Sequence, residues 1–520
     1  MRIDFDKYSL IRFILPMIVG MGGANLCIDA IPITAIYLLP VLLLALVFMV
    51  VFLKQGREDR FAVAGMVFAF VFGAFLYINR YRIVEHGISR QADSCRGVLL
   101  ASPEEKERSF ALNIKQENGT KILLYVQKSD EVKSLNVGDT VLARLLHINL
   151  TADVDDSDEY ASYRRYLFYN GTCATAYSVH GAWKALPAKH NEQNVFDRLA
   201  SMQDTLHEVY TERLLNAESR GVIEAMTIGR KKSLSPELRQ KYSSAGVSHV
   251  LALSGFHVGI LFLILQFFTL ANFIPYHWRA PVNCLIIVAL WCFDVIAGMP
   301  PSLTRATAML TIITLCTVLR RDTVMAVQSC FITAAIMLCY DPLMLMDIGF
   351  QLSFVAVIAI TTTLRRITEL SRIQNPVLDV IWSIIMTSLV CSLITAPLVA
   401  YHFGSIPMYG ILANLLITPL VYFVMWGSVL WWMSLAWDAL NEWIANCLTS
   451  LVHGMNSTVS FVSSLPYSTI SFSPSLLDVA LLYVVILISV IFLHHPHVKH
   501  LIRLLVSVIV VLVVMILESI

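Results

Sequence analysis

The sequence predicts a polytopic α-helical membrane protein of about thirteen transmembrane helices, with a small OB-like β-barrel inserted as an extracytoplasmic domain. The first observation is composition: 57% of the 520 residues are hydrophobic and only 14% are charged, whereas about 25% of a soluble domain is charged. The second is that residues 80–245 hold 23 of the 38 Lys and Arg and 22 of the 37 Asp and Glu. Lipid must therefore be part of the solvent, and one water-facing block interrupts the apolar chain.

The N-terminal segment, residues 1–79, contains three apolar runs at about 11–29, 31–53 and 61–78, each near the roughly 20 residues that cross a bilayer. Basic residues flank these runs: Arg2, Lys7, Arg12, Lys54, Arg57 and Arg60. Because cytoplasmic flanks are enriched in Lys and Arg, we predict a cytoplasmic N-terminus and a periplasmic or extracellular block at 80–245.

Residues 246–520 are predicted to form a transmembrane domain of ten further runs. These lie at about 247–273, 281–298, 303–319, 325–340, 346–364, 380–400, 408–435, 443–465, 476–493 and 498–517. Starting outside at residue 245, the turns at Arg279, Arg320, Arg365 and Lys499 all fall inside. The stretch 400–475 is rich in Pro and Gly, so re-entrant or surface helices are an alternative there.

The water-facing block divides into the OB-like domain, residues 80–190, and a linker, residues 191–245. Alternation at 110–114 and 121–126 around a turn at 117–120 predicts antiparallel strands joined by hairpins, which fits a small OB-type barrel. Helical spacing at 194–215 predicts an amphipathic helix that leads back to the membrane. Cys95 and Cys173, the two cysteines of the block, could form a disulfide outside the cytoplasm; two unpaired thiols are the alternative.

The segment after this block places polar groups in an apolar run. On one continuous helix, His249, Ser254 and His257 would share a face. Gly255 and Gly259 would form a GxxxG pair for close helix packing. A polar face in a spanning helix borders a cavity or another polar face, because lipid does not satisfy it. Satisfied packing contacts between helices are the alternative.

Further polar residues interrupt the later runs: Asp294, Arg305, Asp341, Asp347, Gln351 and Ser353. A charge at the bilayer centre costs on the order of 3 kcal/mol, so these groups are expected to pair or to line water. We predict an ion pair between Arg305 and one of the three aspartates, with snorkelling of Arg305 to the outer interface as the alternative. The sequence has no GxxxxGK[ST] or HExxH motif, so no catalytic residue, cofactor or metal is predicted.

Residues 246–260, GVSHVLALSGFHVGI, resemble the motif G-[LV]-x-H-[LV]-[LI]-A-[IL]-S-G-[LF]-H-V of the ComEC family of competence proteins. Further matches stand in the family's order, at Pro301-Ser302 with Arg305-Ala306, Asp341-Pro342 with 347–353, and 158–167. The resemblance implies a multi-pass cell inner membrane channel, not an enzyme, that conducts single-stranded DNA into the cytoplasm during natural transformation. Many members also carry a C-terminal metallo-β-lactamase-like domain, which this chain is expected to lack.

Moving a phosphate inward against an inside-negative potential costs about 2.3 kcal/mol per 100 mV. With no nucleotide motif, we expect a passive pore that is served by a periplasmic DNA receptor and a cytoplasmic ATP-driven translocase or helicase. Pore-lining candidates offer weak polar contacts: Ser248, His249, Ser254, His257, Asp294, Arg305, Asp347, Gln351 and Ser353.

Rings and cations alternate near the end of the outer domain, at Tyr163, Arg164, Arg165, Tyr166 and Tyr169. Base stacking contributes about 1–3 kcal/mol per base, so these residues are candidates for DNA entry; a domain edge with core aromatics is the alternative. Before the first pore helix, three further candidates, Arg230, Lys231 and Lys232, could gather DNA or bind anionic headgroups of the lipid bilayer.

Two other functions stay open. An intramembrane serine hydrolase would use Ser254 as nucleophile and His257 or His249 as base, but the sequence has no GxSxG or SxxK motif. A small-molecule transporter would use Asp294, Asp347 and Arg305, and it predicts inverted repeats that the sequence does not display.

Overall fold

A computed structural model describes residues 10–28, 35–100, 103–133, 135, 138–153, 160–178, 181–186, 195–214, 216–231, 233–270, 274–318, 326–371 and 373–519. The chain forms two compact units. The first comprises Met1–Asp204 and Phe331–Phe350, and the second comprises Thr205–Cys330 and Gln351–Ile520.

The helices of the described residues are α1 (Ile11–Cys27), α2 (Leu39–Lys54), α3 (Glu58–Glu85), α4 (Asp130–Lys133), α5 (Ala161–Tyr169), α6 (Val195–Arg213), α7 (Ala217–Thr227), α8 (Pro236–Ser244), α9 (Ser248–Leu251), α10 (Gly255–Leu270), α11 (Arg279–Ile296), α12 (Pro301–Val318), α13 (Ala326–Tyr340), α14 (Ile348–Ala359), α15 (Arg365–Leu370), α16 (Pro376–Phe403), α17 (Gly410–Met433), α18 (Asp438–Ser463), α19 (Leu476–His494) and α20 (Val498–Ser519). The strands are β1 (Ser94–Leu99), β2 (Glu104–Glu105), β3 (Ser109–Lys115), β4 (Lys121–Gln127), β5 (Thr140–Arg144), β6 (His147–Leu150), β7 (Thr172–Ser178), β8 (Trp183–Leu186), β9 (Ser405–Pro407) and β10 (Thr469–Ser471).

Within the described part of the chain, nine helical segments are long and apolar enough to cross a bilayer. They contain α2, α3, α11, α12, α14 with α15, α16, α17, α19 and α20. The helices α1, α10 and α13 are apolar but shorter. This is the composition of a multi-pass membrane protein. The predicted count of thirteen is not confirmed, because only nine described segments qualify, three apolar helices are shorter, and α18, at the predicted run 443–465, belongs to neither group.

In the first unit, α1 and α3 approach each other at two glycines. A Cβ on Gly20 would stand 2.0 Å from the carbonyl oxygen of Phe70, and a Cβ on Gly73 would stand 2.1 Å from that of Met17. Small residues permit such contact between helix backbones in a membrane.

The strands β1–β8 form one mixed sheet in the order β6-β7-β4-β3-β1-β5-β8, with β2 beside β3. The β3–β4 hairpin is antiparallel, as the alternation predicted. β4 also pairs in parallel with β7, a strand that the sequence pattern did not predict. A parallel pair needs a long connection, and here β5, β6 and α5 lie between the two strands.

The linker forms three helices where the sequence predicted one. The predicted amphipathic helix is α6, which is followed by α7 and α8. Most of α7 is buried, and Val222 and Met226 join a core with Trp431, Val452 and other side chains of α17 and α18. In the second unit, these linker helices therefore pack against helices that come some 200 residues later in the chain.

The helix predicted over 247–273 is broken. α9 ends at Leu251, Ala252 is extended (φ −103°, ψ 130°), and α10 begins at Gly255. The Ser302 hydroxyl of α12 donates a 2.5 Å hydrogen bond to the carbonyl oxygen of Leu253, in the non-helical turn. The prediction that His249, Ser254 and His257 share one face of a continuous helix is therefore wrong.

Candidate functional site

The turn 252–254 and the start of α10 form the first part of the site. The Ser254 hydroxyl lies 3.1 Å from His257 Nδ1, and the Ser254 backbone N–H donates to the same nitrogen over 3.3 Å. The imidazole of the third helical residue thus reaches back to the backbone N–H of the N-cap residue, which is one half of a capping box. His257 is fully buried. Its Nδ1 has these two contacts, whereas its Nε2 is buried without a hydrogen-bond partner among the described residues, so the alternative of satisfied packing groups accounts for only part of this pair.

The glycines that follow behave differently from each other. A Cβ on Gly255 would stand 3.2 Å from the Cβ of Ala306 on α12, so this position permits close packing of α10 on α12. A Cβ on Gly259 would meet no described atom within 4 Å. The two positions therefore do not form one close helix contact.

Charged groups of the second unit lie beside this turn, inside the helix packing. Asp294 on α11 is fully buried and accepts a 3.3 Å hydrogen bond from the Thr304 hydroxyl on α12. Arg305 is 3% exposed, and its Nη2 donates to the Ser353 hydroxyl of α14 over 2.9 Å. Polar groups thus connect α11 with α12 and α12 with α14, as expected in spanning helices, because lipid does not satisfy polar side chains.

The predicted acidic partners of Arg305 have other contacts. Asp341 forms an ion pair with Arg80, at 3.4 Å. Asp347 accepts a 2.7 Å hydrogen bond from the backbone N–H of Phe350 and so caps the first turn of α14. An ion pair between Arg305 and an aspartate therefore stays a prediction.

The remaining pore-lining candidates differ in exposure. Ser248 and His249 are exposed on α9, whereas Gln351 and Ser353 are half-buried on α14. That the nine candidates line a path for DNA stays a prediction.

The aromatic candidates of the outer domain lie on one surface in the first unit. Tyr163 and Tyr166 on α5 stack with ring centroids 6.4 Å apart and are 46% and 48% exposed. Tyr125 on β4 and Tyr177 on β7 stack with centroids 5.1 Å apart. Burial, the nearby Tyr163 and a hydrogen bond that the Tyr125 hydroxyl donates to Tyr163 raise the pKa of Tyr125. We call these four side chains the tyrosine surface.

Tyr125 and Tyr177 were missed by the sequence reasoning, because only the parallel pairing of β4 with β7 places them side by side. Beside the tyrosine surface, Arg165 is exposed, whereas Arg164 donates to the carbonyl oxygen of Asp153 over 3.2 Å. Tyr169 is half-buried and packs edge-on against Phe168, as the domain-edge alternative expects.

The basic candidates before the first pore helix are partly described. Arg230 is half-buried, Lys231 is exposed, and Lys232 lies outside the described residues. Glu224 of α7 is fully buried and accepts hydrogen bonds from Ser233 over 3.0 Å and, through Oε1, from His207 Nδ1 at 2.8 Å. This carboxylate fixes both α6 and the segment that follows the basic residues.

The cysteines of the outer domain, Cys95 and Cys173, are buried free thiols. Burial raises the pKa of Cys95 to about 11. The thiol of Cys173 donates to the carbonyl oxygen of Lys121 over 3.3 Å. A disulfide between the two stays a prediction for an oxidising compartment.

Comparison with known proteins finds a matching family and two similar relatives. A family model described as "Competence protein" matches residues 226–496. "ComE operon protein 3" of Bacillus subtilis (strain 168) is 23% identical over 467 residues, which cover 85% of this chain and 56% of that protein. An "Uncharacterized protein" of Aquifex aeolicus (strain VF5) is 28% identical over 224 residues, which cover 43% of this chain and 50% of that protein. The chain thus spans about half the length of these curated relatives, and no solved structure matches it.

Proposed function

Because the chain belongs to the competence protein family, we propose that it acts in DNA uptake for transformation, as a channel for one DNA strand through the cell inner membrane. The match at 226–496 carries the proposal, since it covers α10, α11 and α12 with their buried polar groups. In the orientation that we propose, the N-terminus is cytoplasmic and residues 80–245 lie outside the cytoplasm.

The channel is passive in this proposal. A phosphate that moves inward against the membrane potential costs about 2.3 kcal/mol per 100 mV, less whatever counterions cancel. The sequence has no nucleotide-binding motif to supply that energy. A cytoplasmic ATP-driven translocase or helicase therefore pulls the strand, and a periplasmic DNA receptor delivers it.

The outer domain is the entry platform in this proposal, and its sheet is an OB-like barrel. β5 pairs with β1, and β6, which follows after two residues, pairs with β7. A bent strand made of β5 and β6 would thus link both ends of the path β1-β3-β4-β7. OB folds bind nucleic acid on the face of their second and third strands and on nearby loops. In the proposed barrel β4 is the third strand, and it carries the tyrosine surface together with β7 and α5.

The test follows fluorescent DNA in cells that carry Arg305→Ala, with protein abundance measured in parallel. We expect label to accumulate outside the inner membrane and not to reach the cytoplasm, because Arg305 joins α12 to α14 beside the strand's path. Thr317→Ala, at an exposed position on the same helix, is the matched control and should leave uptake unchanged. Normal uptake by Arg305→Ala at normal abundance would contradict the assignment of this region to the channel.

A serine hydrolase is the second candidate, because the Ser254 hydroxyl lies within hydrogen-bond distance of the His257 imidazole. Ser254→Ala separates the two. A channel keeps most of its uptake, since only the contact of the hydroxyl with His257 is lost, worth about 1 kcal/mol. A hydrolase loses its nucleophile and its activity.

A further inference from the structure

Helix α17 is apolar enough to cross a bilayer, and its 24 residues would span about 36 Å. Its first residue lies against Gly246, where a Cβ would stand 3.0 Å from the Cα of Gly410. Near its other end, Trp431 stacks on Tyr210 with ring centroids 4.9 Å apart, and Trp432 Nε1 donates to the Tyr210 hydroxyl over 2.9 Å. Both ends of α17 therefore touch the segment 195–246.

This segment has no stretch that crosses a bilayer. α6 carries six charged residues, and residues 214–246 carry nine more. α7 and α8 have 11 and 9 residues, far fewer than the roughly 20 that a crossing requires. Tyr210 and Gly246 therefore lie on one side of the membrane. That side is the one of the domain that contains the strands β1–β8, here called the sheet domain, which precedes them in the chain.

The end of α17, the connection to α18 and the start of α18 are rich in tryptophan. Five of the nine tryptophans of the chain lie between residues 426 and 443, and Trp437 and Trp443 are each 65% exposed. Tryptophan concentrates at the level of lipid headgroups, because its ring is apolar and its N–H is polar. Asp438, the first residue of α18, forms a 2.5 Å ion pair with Arg213 of α6, which also places this end beside the charged segment.

We propose that α17 and α18 form a hairpin that stays on the side of the sheet domain, with Trp437 and Trp443 in the headgroup region of that leaflet, and does not cross the bilayer. The partner of this surface is phospholipid. Removing two crossings leaves the basic turns at Arg365 and Lys499 on the opposite side, so the charge rule is still obeyed. In a hairpin that does not cross, the exposed polar residues of α18, such as Asn446 and Ser450, do not have to lie in the lipid core.

Single cysteines in intact and permeabilised spheroplasts test the topology, with a membrane-impermeant maleimide as the probe. Reporters are Ala436→Cys and Glu442→Cys, at exposed positions of the hairpin connection and of α18. References are Glu117→Cys in the sheet domain and His495→Cys in the α19–α20 turn. The background replaces five exposed native cysteines by alanine: Cys27, Cys284, Cys292, Cys339 and Cys447.

Both reporters should label in intact spheroplasts to the same extent as Glu117→Cys, whereas His495→Cys should label only after permeabilisation. Reporters that behave like His495→Cys, or that label in neither condition, would overturn the proposal, as would references that label alike. No DNA is involved, so this result is independent of the proposed function.

Lipid quenching tests the partner. In vesicles of phosphatidylcholine brominated near the headgroup, the wild-type chain should lose a larger fraction of its tryptophan fluorescence than a Trp437→Phe, Trp443→Phe double variant. Equal fractional quenching would mean that these rings face water or another protein, and it would overturn the assignment to lipid.

Discussion

The tyrosine surface should bind single-stranded DNA by stacking, and removal of one exposed ring should weaken binding measurably. Tyr166 and Tyr177 are 48% and 46% exposed, so each offers one ring face without disrupting the core. A stacked base contributes about 1–3 kcal/mol, and 1.4 kcal/mol is a tenfold change in affinity. Tyr166→Ala or Tyr177→Ala should therefore weaken binding of a labelled oligothymidylate by roughly 5- to 150-fold, measured by fluorescence anisotropy with the full chain in detergent at fixed salt.

Two control variants separate stacking from other effects. Tyr166→Phe keeps the ring and should bind as the wild type does. Tyr276→Ala removes a tyrosine that is 67% exposed on a turn of the second unit, and it should change nothing. Unchanged affinity in both alanine variants of the tyrosine surface, or a loss in Tyr166→Phe as large as in Tyr166→Ala, would refute the stacking argument.

Three further predictions concern stability. Gly20→Ala should lower the melting temperature and the abundance, because its Cβ meets backbone, whereas Gly22→Ala, with no described atom within 4 Å of its Cβ, should not; equal effects would contradict the packing. Tyr210→Phe should cost about 1–3 kcal/mol in a denaturant titration, since the Trp432 N–H loses its acceptor, and no loss would show that water replaces it. Burial raises the pKa of Cys95 from 9.0 to about 11, so the stabilising contribution of its thiol is complete below pH 9 and is lost between pH 9 and 11. Over that window the melting temperature of the wild type should fall more steeply than that of Cys95→Ala. Equal slopes would argue against the pKa shift.

Local pattern was enough to predict much of the fold. Apolar runs located most of the helices, because about 20 apolar residues in sequence have one stable solution in lipid. The alternation at 110–114 and 121–126 predicted a hairpin, which the structure confirms as the antiparallel pair β3–β4. Both signals depend on neighbours in the chain.

Contacts between distant residues were beyond sequence reasoning. The break at 252–254 lies within the motif 246–260, which contains no proline. The hydroxyl that donates to the carbonyl oxygen of Leu253 in this turn belongs to Ser302, 49 residues later. Arg80 and Asp341 are 261 residues apart, so no local pattern indicates their ion pair. Tyr177 became part of the tyrosine surface only through the parallel β4–β7 pair. Each of these contacts depends on tertiary packing, and no local periodicity in a single sequence predicts it.

The passive passage of one strand is tested most directly in vesicles that contain the purified chain and enclose a single-strand-binding protein, without ATP. A fluorescent single-stranded oligonucleotide added outside should become protected from external nuclease, because the enclosed protein traps strands that diffuse through, whereas a duplex of the same length should not. Protection of the single strand no greater than in vesicles without the chain would contradict a passive channel.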